Sequence, residues 1–227
     1  MTRMGGGFGR RLYLHFGLEA AAISKKVGAP IKMVYTREDD MTQGTYRPAY
    51  RSVYKAGLDK NNNLVAFSVK GVGLPGGPVI PNRFPAGAVD NYLAENKSSF
   101  TNISTGAWTA PKSHFTAGAE QSFIDEVAEA AKKDPIDFRL ELFDKAINNP
   151  VGEKYSYEAE RYAGVLKLVK EKSNWGIGDS ILNKGVAAYF CHDSYVAVVI
   201  EMVLNENQPK VKKVWCAVDC GIVINKE

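Results

Sequence analysis

The sequence predicts an α+β fold of mixed sheets with packed helices, and three observations carry that expectation. Some segments repeat apolar residues at three and four, others read as strands and a hairpin, and a composition of 45% hydrophobic and 24% charged residues over 227 positions permits a sizeable core. Leu12, Phe16, Ala20, Ile23 and Val27 share one helical face, with Gly28 and Pro30 as the stop, so a first helix of about four turns is expected to pack on that face. Residues 31–35 read as a strand, and residues 50–56 and 64–70 as a hairpin around Asp59, Lys60, Asn61, Asn62 and Asn63. Residues 71–88 hold many glycines and prolines without a period, which predicts a long surface loop suited to a partner contact. Phe123, Val127, Ala130 and Ala131 mark a second helix. Asp134 caps a third, with Pro135 at its first position and Ile136, Leu140 and Phe143 inward. Residues 148–157 are polar and form a candidate linker before a helix carrying Tyr162, Leu166 and Val169 on one side. Residues 185–191, 194–204 and 210–218 read as strands, the last two joined as a hairpin. The expected division is 1–147, a linker and helix over 148–184, and the start of a second region over 185–227.

Charge and composition narrow the function. The net charge of +4 is spread along the chain with no dense basic block, which argues against nucleic acid as the main partner, although there are eleven tyrosines. No apolar run approaches the roughly 20 residues that span a bilayer, and no secretory signal stands at Met1. Cys191, Cys216 and Cys220 are too few for a four-cysteine zinc or iron–sulfur site. Cys216 and Cys220 are four apart in a stretch read as strand, so a buried pair on one face is expected. Glu38, Asp39 and Asp40 read as a solvated turn. Of His15, His114 and His192, only His114 lies beside a motif that reaches a pocket.

The most informative segment is Gly5, Gly6, Gly7, Phe8, Gly9, Arg10 and Arg11, directly before the first helical repeat. Glycines let backbone approach a bound group closely, and a helix start offers unpaired N–H donors, so a phosphate-like ligand is expected. The dinucleotide fingerprint fails because Arg10 stands at its third glycine, and the P-loop fails for want of Gly-Lys-Ser/Thr. A tight strand-to-helix turn without ligand is the alternative.

The loop does not stand alone. Gly106-Ala107-Trp108-Thr109-Ala110-Pro111, the helix Glu120 to Ala128, Asp134-Pro135-Ile136-Asp137-Phe138-Arg139 and Val218-Asp219-Cys220-Gly221-Ile222-Val223-Ile224-Asn225 follow in order. Along nearly the whole chain this series resembles the molybdopterin-binding large subunits of the xanthine dehydrogenase and aldehyde oxidoreductase family, most closely the isoquinoline 1-oxidoreductase beta branch. The resemblance implies a molybdenum–molybdopterin cofactor, with its dinucleotide form left open, and iron–sulfur clusters on a partner subunit. It implies oxidation of an N-heterocycle or aldehyde with water as oxygen source. Gly6, Gly7, Phe8, Gly9 and Arg10 are the implied cofactor contacts, and Trp108 and Thr109 the implied substrate pocket. Glu120 and Gln121 would lie towards the pterin, or else simply begin a helix whose dipole favours acids.

Departures from the family pattern qualify this. Thr109 stands where many members carry arginine, so a cationic contact is missing there and anionic substrates are disfavoured. Leu12 stands where the xanthine-oxidising branch carries glutamate, which disfavours purines. The family's C-terminal glycine-rich motif with its catalytic glutamate is absent, so this chain is read as a truncated fragment with no catalytic residue of its own, inactive in isolation and exposed to self-association. A non-catalytic anion- or nucleotide-binding module and a degenerate interaction subunit are the alternatives; the Trp108 and Asp219 motifs favour the enzyme. The compartment is open, cytoplasmic or periplasmic in a bacterium.

Overall fold

The computed structural model describes residues 5–177 and 183–225. A three-stranded sheet forms from β1 (Ala49–Leu58), β2 (Leu64–Leu74) and β3 (Asn91–Ser98) in that order. The β1–β2 pair is the expected hairpin: Tyr50 faces Gly73, Tyr54 faces Val69, and the Asp59 carboxylate accepts from the N–H groups of Asn61 and Asn63, both at 2.8 Å. β3 then runs parallel to β2, which makes the sheet mixed. No signal in the sequence was read as β3.

Between β2 and β3 the structure corrects the expectation of a surface loop. Residues 71–74 continue β2, and Pro78, Val79, Phe84, Ala86, Ala88 and Val89 are buried. Asn96 of β3 holds the Val79 backbone from both sides, accepting from its N–H at 3.0 Å and donating to its carbonyl. Tyr157 donates to the Ala86 carbonyl at 2.7 Å, and Val151 N–H donates to the Gly87 carbonyl at 2.9 Å. Glycine is required at position 87, where φ is +83° and a Cβ would come within 2.2 Å of the Tyr155 ring. Glycine and proline here permit a tightly packed path rather than a solvated one.

The second sheet is the antiparallel meander β4 (Lys184–Cys191), β5 (Ser194–Asn205) and β6 (Gln208–Asp219). Its tight connections place His192 and Asp193, then Glu206 and Asn207, at positive φ, as type I′ hairpins require. Helix α5 (Ala159–Lys172) lies on one face of it, burying Tyr162, Val165, Leu166 and Val169. α4 (Pro135–Asn148) packs on α5 through Phe143 and Tyr162, whose ring centroids are 4.6 Å apart. Asp134 caps α4 as expected, accepting from the N–H groups of Ile136 and Asp137, and also receives Trp175 Nε1–H at 2.7 Å. One hydrophobic core runs from Leu64 and Phe67 of the first sheet to Tyr195, Ala197 and Val199 of the second.

Cys216 is exposed and its neighbour Ala217 is buried, so the strand presents its other face to the core and the expected buried cysteine pair does not form; Cys220 lies past the end of β6 and is also exposed. The outward face of this sheet is still apolar, carrying Val196, Val198 and Ile200 against Val218, Cys216 and Val214.

The amino-terminal region differs more from expectation. After a short 3-10 turn (Arg10–Leu12), α1 (His15–Val27) ends at Gly28, with φ +71°, as the sequence indicates. None of its residues is buried, because no other described element covers its apolar face. Residues 31–35 pair with no strand among the described residues, so the expected strand does not form. The acidic cluster is the first turn of α2 (Arg37–Thr42), closed by a capping box between Thr36 and Asp39.

α3 (Ser113–Ala130) connects the halves. Arg139 of α4 is 1% exposed, and its guanidinium donates to the Gln121 side-chain oxygen, to the Gln121 carbonyl (both 3.1 Å) and to the Pro135 carbonyl (2.8 Å), with an ion pair to Asp125. The Gln121 side-chain oxygen also accepts from Ala188 N–H of β4 at 3.0 Å. Replacing Arg139 by methionine removes these bonds and the ion pair to Asp125 at the junction of α3, α4 and β4, so Arg139→Met should lower stability by about 3 kcal/mol, a fall in Tm of roughly 6–12 °C by calorimetry.

Candidate cofactor and substrate site

The glycine loop and the tryptophan motif meet. Gly9 adopts φ +84°, and a Cβ there would come within 2.2 Å of the Ala107 carbonyl oxygen and 2.8 Å of Trp108 Cα. Only glycine permits that approach. The motif is pinned from three sides: Gly106 N–H donates to the Tyr46 carbonyl (3.0 Å), Ala107 N–H to the Tyr13 hydroxyl (3.0 Å), and Trp108 Nε1–H to the Thr45 carbonyl (3.1 Å). Tyr46 and Thr105 form an isolated parallel bridge that brings residues 45–48 alongside.

In the loop itself, the Gly7 and Gly9 carbonyls accept from Arg11 and Leu12 N–H, while the N–H groups of Gly7, Phe8 and Gly9 meet no acceptor among the described residues. Phe8 has φ +50° and a ring 70% exposed, lying against Gly6. The side chain of Arg10 lies outside the described residues. A glycine cradle closed on a fixed backbone segment, with three N–H donors that meet no acceptor among the described residues, fits the anionic and polar edge of a pterin cofactor.

Beside this junction is a cavity of about 230 Å³, walled by Tyr13, Tyr50 and Trp108 and holding Arg47, Lys112 and His114 as its charged or ring-nitrogen groups. The structure thus places Trp108 and His114 at the pocket. Thr109 turns its side chain to solvent and contributes its carbonyl, which accepts from Arg47 Nη2 at 3.0 Å. A cation therefore stands where the sequence showed none, delivered by a different segment. Arg47 Nη1 is 2.9 Å from His114 Nδ1, which is equally 2.9 Å from the Ala110 carbonyl oxygen, so the ring either accepts from Arg47 or donates to Ala110. Tyr13, Arg47, Tyr50 and Lys112 were not singled out in the sequence.

The other motif residues serve the framework. Asp219 takes two hydrogen bonds from Arg161, Nε at 2.9 Å and Nη2 at 2.8 Å, and one from Gly221 N–H, which together hold its carboxyl low, at about 2. Glu120 and Gln121 stand in the middle of α3, buried, rather than at a helix start.

The profile of the molybdopterin cofactor-binding domain family matches residues 1–143. This chain belongs to that family, within the xanthine dehydrogenase and aldehyde oxidoreductase group of molybdopterin-binding large subunits. It is 28% identical to the isoquinoline 1-oxidoreductase beta subunit of Brevundimonas diminuta over 97% of its length, and 30% identical to a membrane-bound aldehyde dehydrogenase (pyrroloquinoline-quinone) of Gluconacetobacter polyoxogenes over 76% of its length. It spans 29% and 26% of those two proteins respectively. The aldehyde oxidoreductase of Desulfovibrio gigas shares the fold, with a TM-score of 0.60 at 15% identity over 92% of this chain and 25% of that one. Among the described residues, no helix is long and apolar enough to cross a membrane.

Burial raises the Glu120 carboxyl to about 8, offset in part by a hydrogen bond from the Gln121 amide and by the charges of Arg83 and Arg139. In the folded chain this carboxyl keeps its proton to about pH 8, whereas unfolded it loses it near its ordinary value of 4.5. Between those values unfolding releases a proton, so its contribution favours the folded state less and less as pH rises from 4.5 to 8. Glu120→Gln should therefore match the parent near pH 4.5 and gain stability on it up to pH 8, by at most about 4 kcal/mol, in melts recorded across that range.

Proposed function

We propose that this chain supplies the cofactor- and substrate-facing loops of a molybdenum-dependent oxidoreductase subunit. The whole enzyme oxidises an N-heterocycle or an aldehyde with water as oxygen source and passes electrons to an iron–sulfur partner subunit. The observation that carries this reading is the contact of Gly9 with the Ala107–Trp108 backbone, which joins two motifs of the family into one surface.

When bound, the molybdenum cofactor supplies the redox chemistry, taking two electrons from the substrate. Gly7, Phe8 and Gly9 hold it through backbone N–H groups, and Trp108 with Tyr50 forms the aromatic walls that orient a planar substrate beside it. Leu12, exposed after the loop, offers no hydrogen bond to a purine. Among the described residues no carboxylate lines the pocket, so the base for hydroxylation comes from residues other than these, and the isolated chain binds without turnover.

One observation favours a second reading, a degenerate member kept as an interaction subunit: the outward face of β4–β6 is apolar, with Val214 and Val218 about half exposed. Molybdenum content separates the two. Chain purified from a molybdenum-supplied host should carry near-stoichiometric metal and the fluorescence of oxidised pterin. Gly9→Ala should lose at least tenfold of both, while Gly5→Ala, where a Cβ meets nothing within 4 Å, should retain them. Metal-free parent chain would remove the cofactor-binding reading.

A further inference from the structure

We propose that the pocket at Arg47 binds an aromatic carboxylate, with Arg47 as the anion anchor and Lys112 as a second cation at its mouth. The inference deepens the reading of this pocket as the substrate's, and rests on it.

Charge is the first argument. Arg47 and Lys112 line the cavity together with neutral and aromatic side chains, and among the described residues no aspartate or glutamate lines it. Among the described residues, neither Arg47 nor Lys112 makes an ion pair with a carboxylate. Arg47 is fixed in place all the same. Its Nη2 donates to the Thr109 carbonyl, its Nη1 reaches His114, and its guanidinium carbon stands 6.0 Å from the Trp108 ring centroid. Neutral partners position the fork without consuming its charge, and each guanidinium nitrogen beyond these contacts has N–H to offer. A guanidinium held rigid and uncompensated beside a cavity selects a planar, bidentate anion.

Shape is the second argument. Tyr13, Tyr50 and Trp108 wall the space, and Tyr50 is backed by Phe115 with ring centroids 5.5 Å apart. A volume of about 230 Å³ is below the roughly 300–1,000 Å³ typical of drug-sized sites, which limits the occupant to one or two rings. Aromatic walls with a cation at the side take a flat ring bearing a carboxylate. The cationic role that Thr109 cannot fill at its own position is thereby met by Arg47 through the Thr109 carbonyl.

The test uses the 227-residue chain without molybdenum, so that its outcome is independent of cofactor loading. Benzoate, benzamide and inorganic phosphate are titrated by calorimetry at constant ionic strength. Benzoate should bind at least tenfold tighter than benzamide, and phosphate should not displace it at equal concentration. Arg47→Gln should abolish the preference and Arg47→Lys should keep part of it. Lys112→Gln, whose ammonium forms no described bond, should weaken benzoate roughly threefold with Tm unchanged, which separates loss of binding from loss of fold. Arg51→Gln, further along the chain in β1 and outside the pocket, should bind as the parent does. Equal affinity for benzoate and benzamide, no binding of either, or displacement by phosphate would overturn the proposal. The Arg47-dependent preference, found together with no molybdenum in chain purified from the molybdenum-supplied host, would sink the cofactor reading and leave the carboxylate pocket standing.

Discussion

A buried guanidinium sets the frame of this molecule. Arg139 enters the interior from α4 and gives its Nε and Nη2 donors to the side chain and backbone of Gln121, whose side-chain oxygen also takes an N–H from β4, and its Nη1 to the Pro135 carbonyl and Asp125. Removing an arginine from water is costly, and the cost is offset only when its hydrogen bonds are filled in good geometry. Satisfying that requirement fixes α3, α4 and β4 relative to one another. α3 begins just after Lys112 and carries His114 in its first turn, so that side of the pocket inherits its position from a contact deep in the core.

The site itself depends on close approach rather than on charge. Gly9 and Ala107 meet where no side chain fits between them, and Tyr13, Thr45 and Tyr46 each hold one polar atom of the tryptophan motif. The loop N–H groups stay available because the described residues give them no acceptor. The arrangement is a backbone surface awaiting a polar ligand, flanked by a pocket whose character is aromatic and cationic.

Much of this was legible locally. The hairpin around Asp59, the Asp134-Pro135 helix start, α5 and the meander β4–β6 all follow from capping, turn chemistry and period, because each is decided by residues a few positions apart. The reading of residues 71–88 as a surface loop fails because glycine and proline mark solvent-facing turns and tightly threaded interior chain alike; Asn96, Tyr155 and Tyr157, further along the sequence, decide between them. The burial of Ala217 instead of Cys216 was hidden because β6 is apolar on both faces, so alternation gave no parity. Arg47 carried no signal at all. Its role arises from the Tyr46–Thr105 bridge, a contact between segments nearly sixty residues apart that no local pattern encodes.

The buried course of residues 78–89 also bears on how the chain can be re-engineered. A stretch rich in glycine and proline is the customary place to open a chain for an epitope, a fluorescent domain or new termini. Here such an insertion would have to push apart Phe84 and Phe143, whose ring centroids are 4.6 Å apart, and break the Tyr157 bond to Ala86. The solvent-facing turn at Lys60 to Asn62, closed only by Asp59 and Asn63, is the permissive port instead.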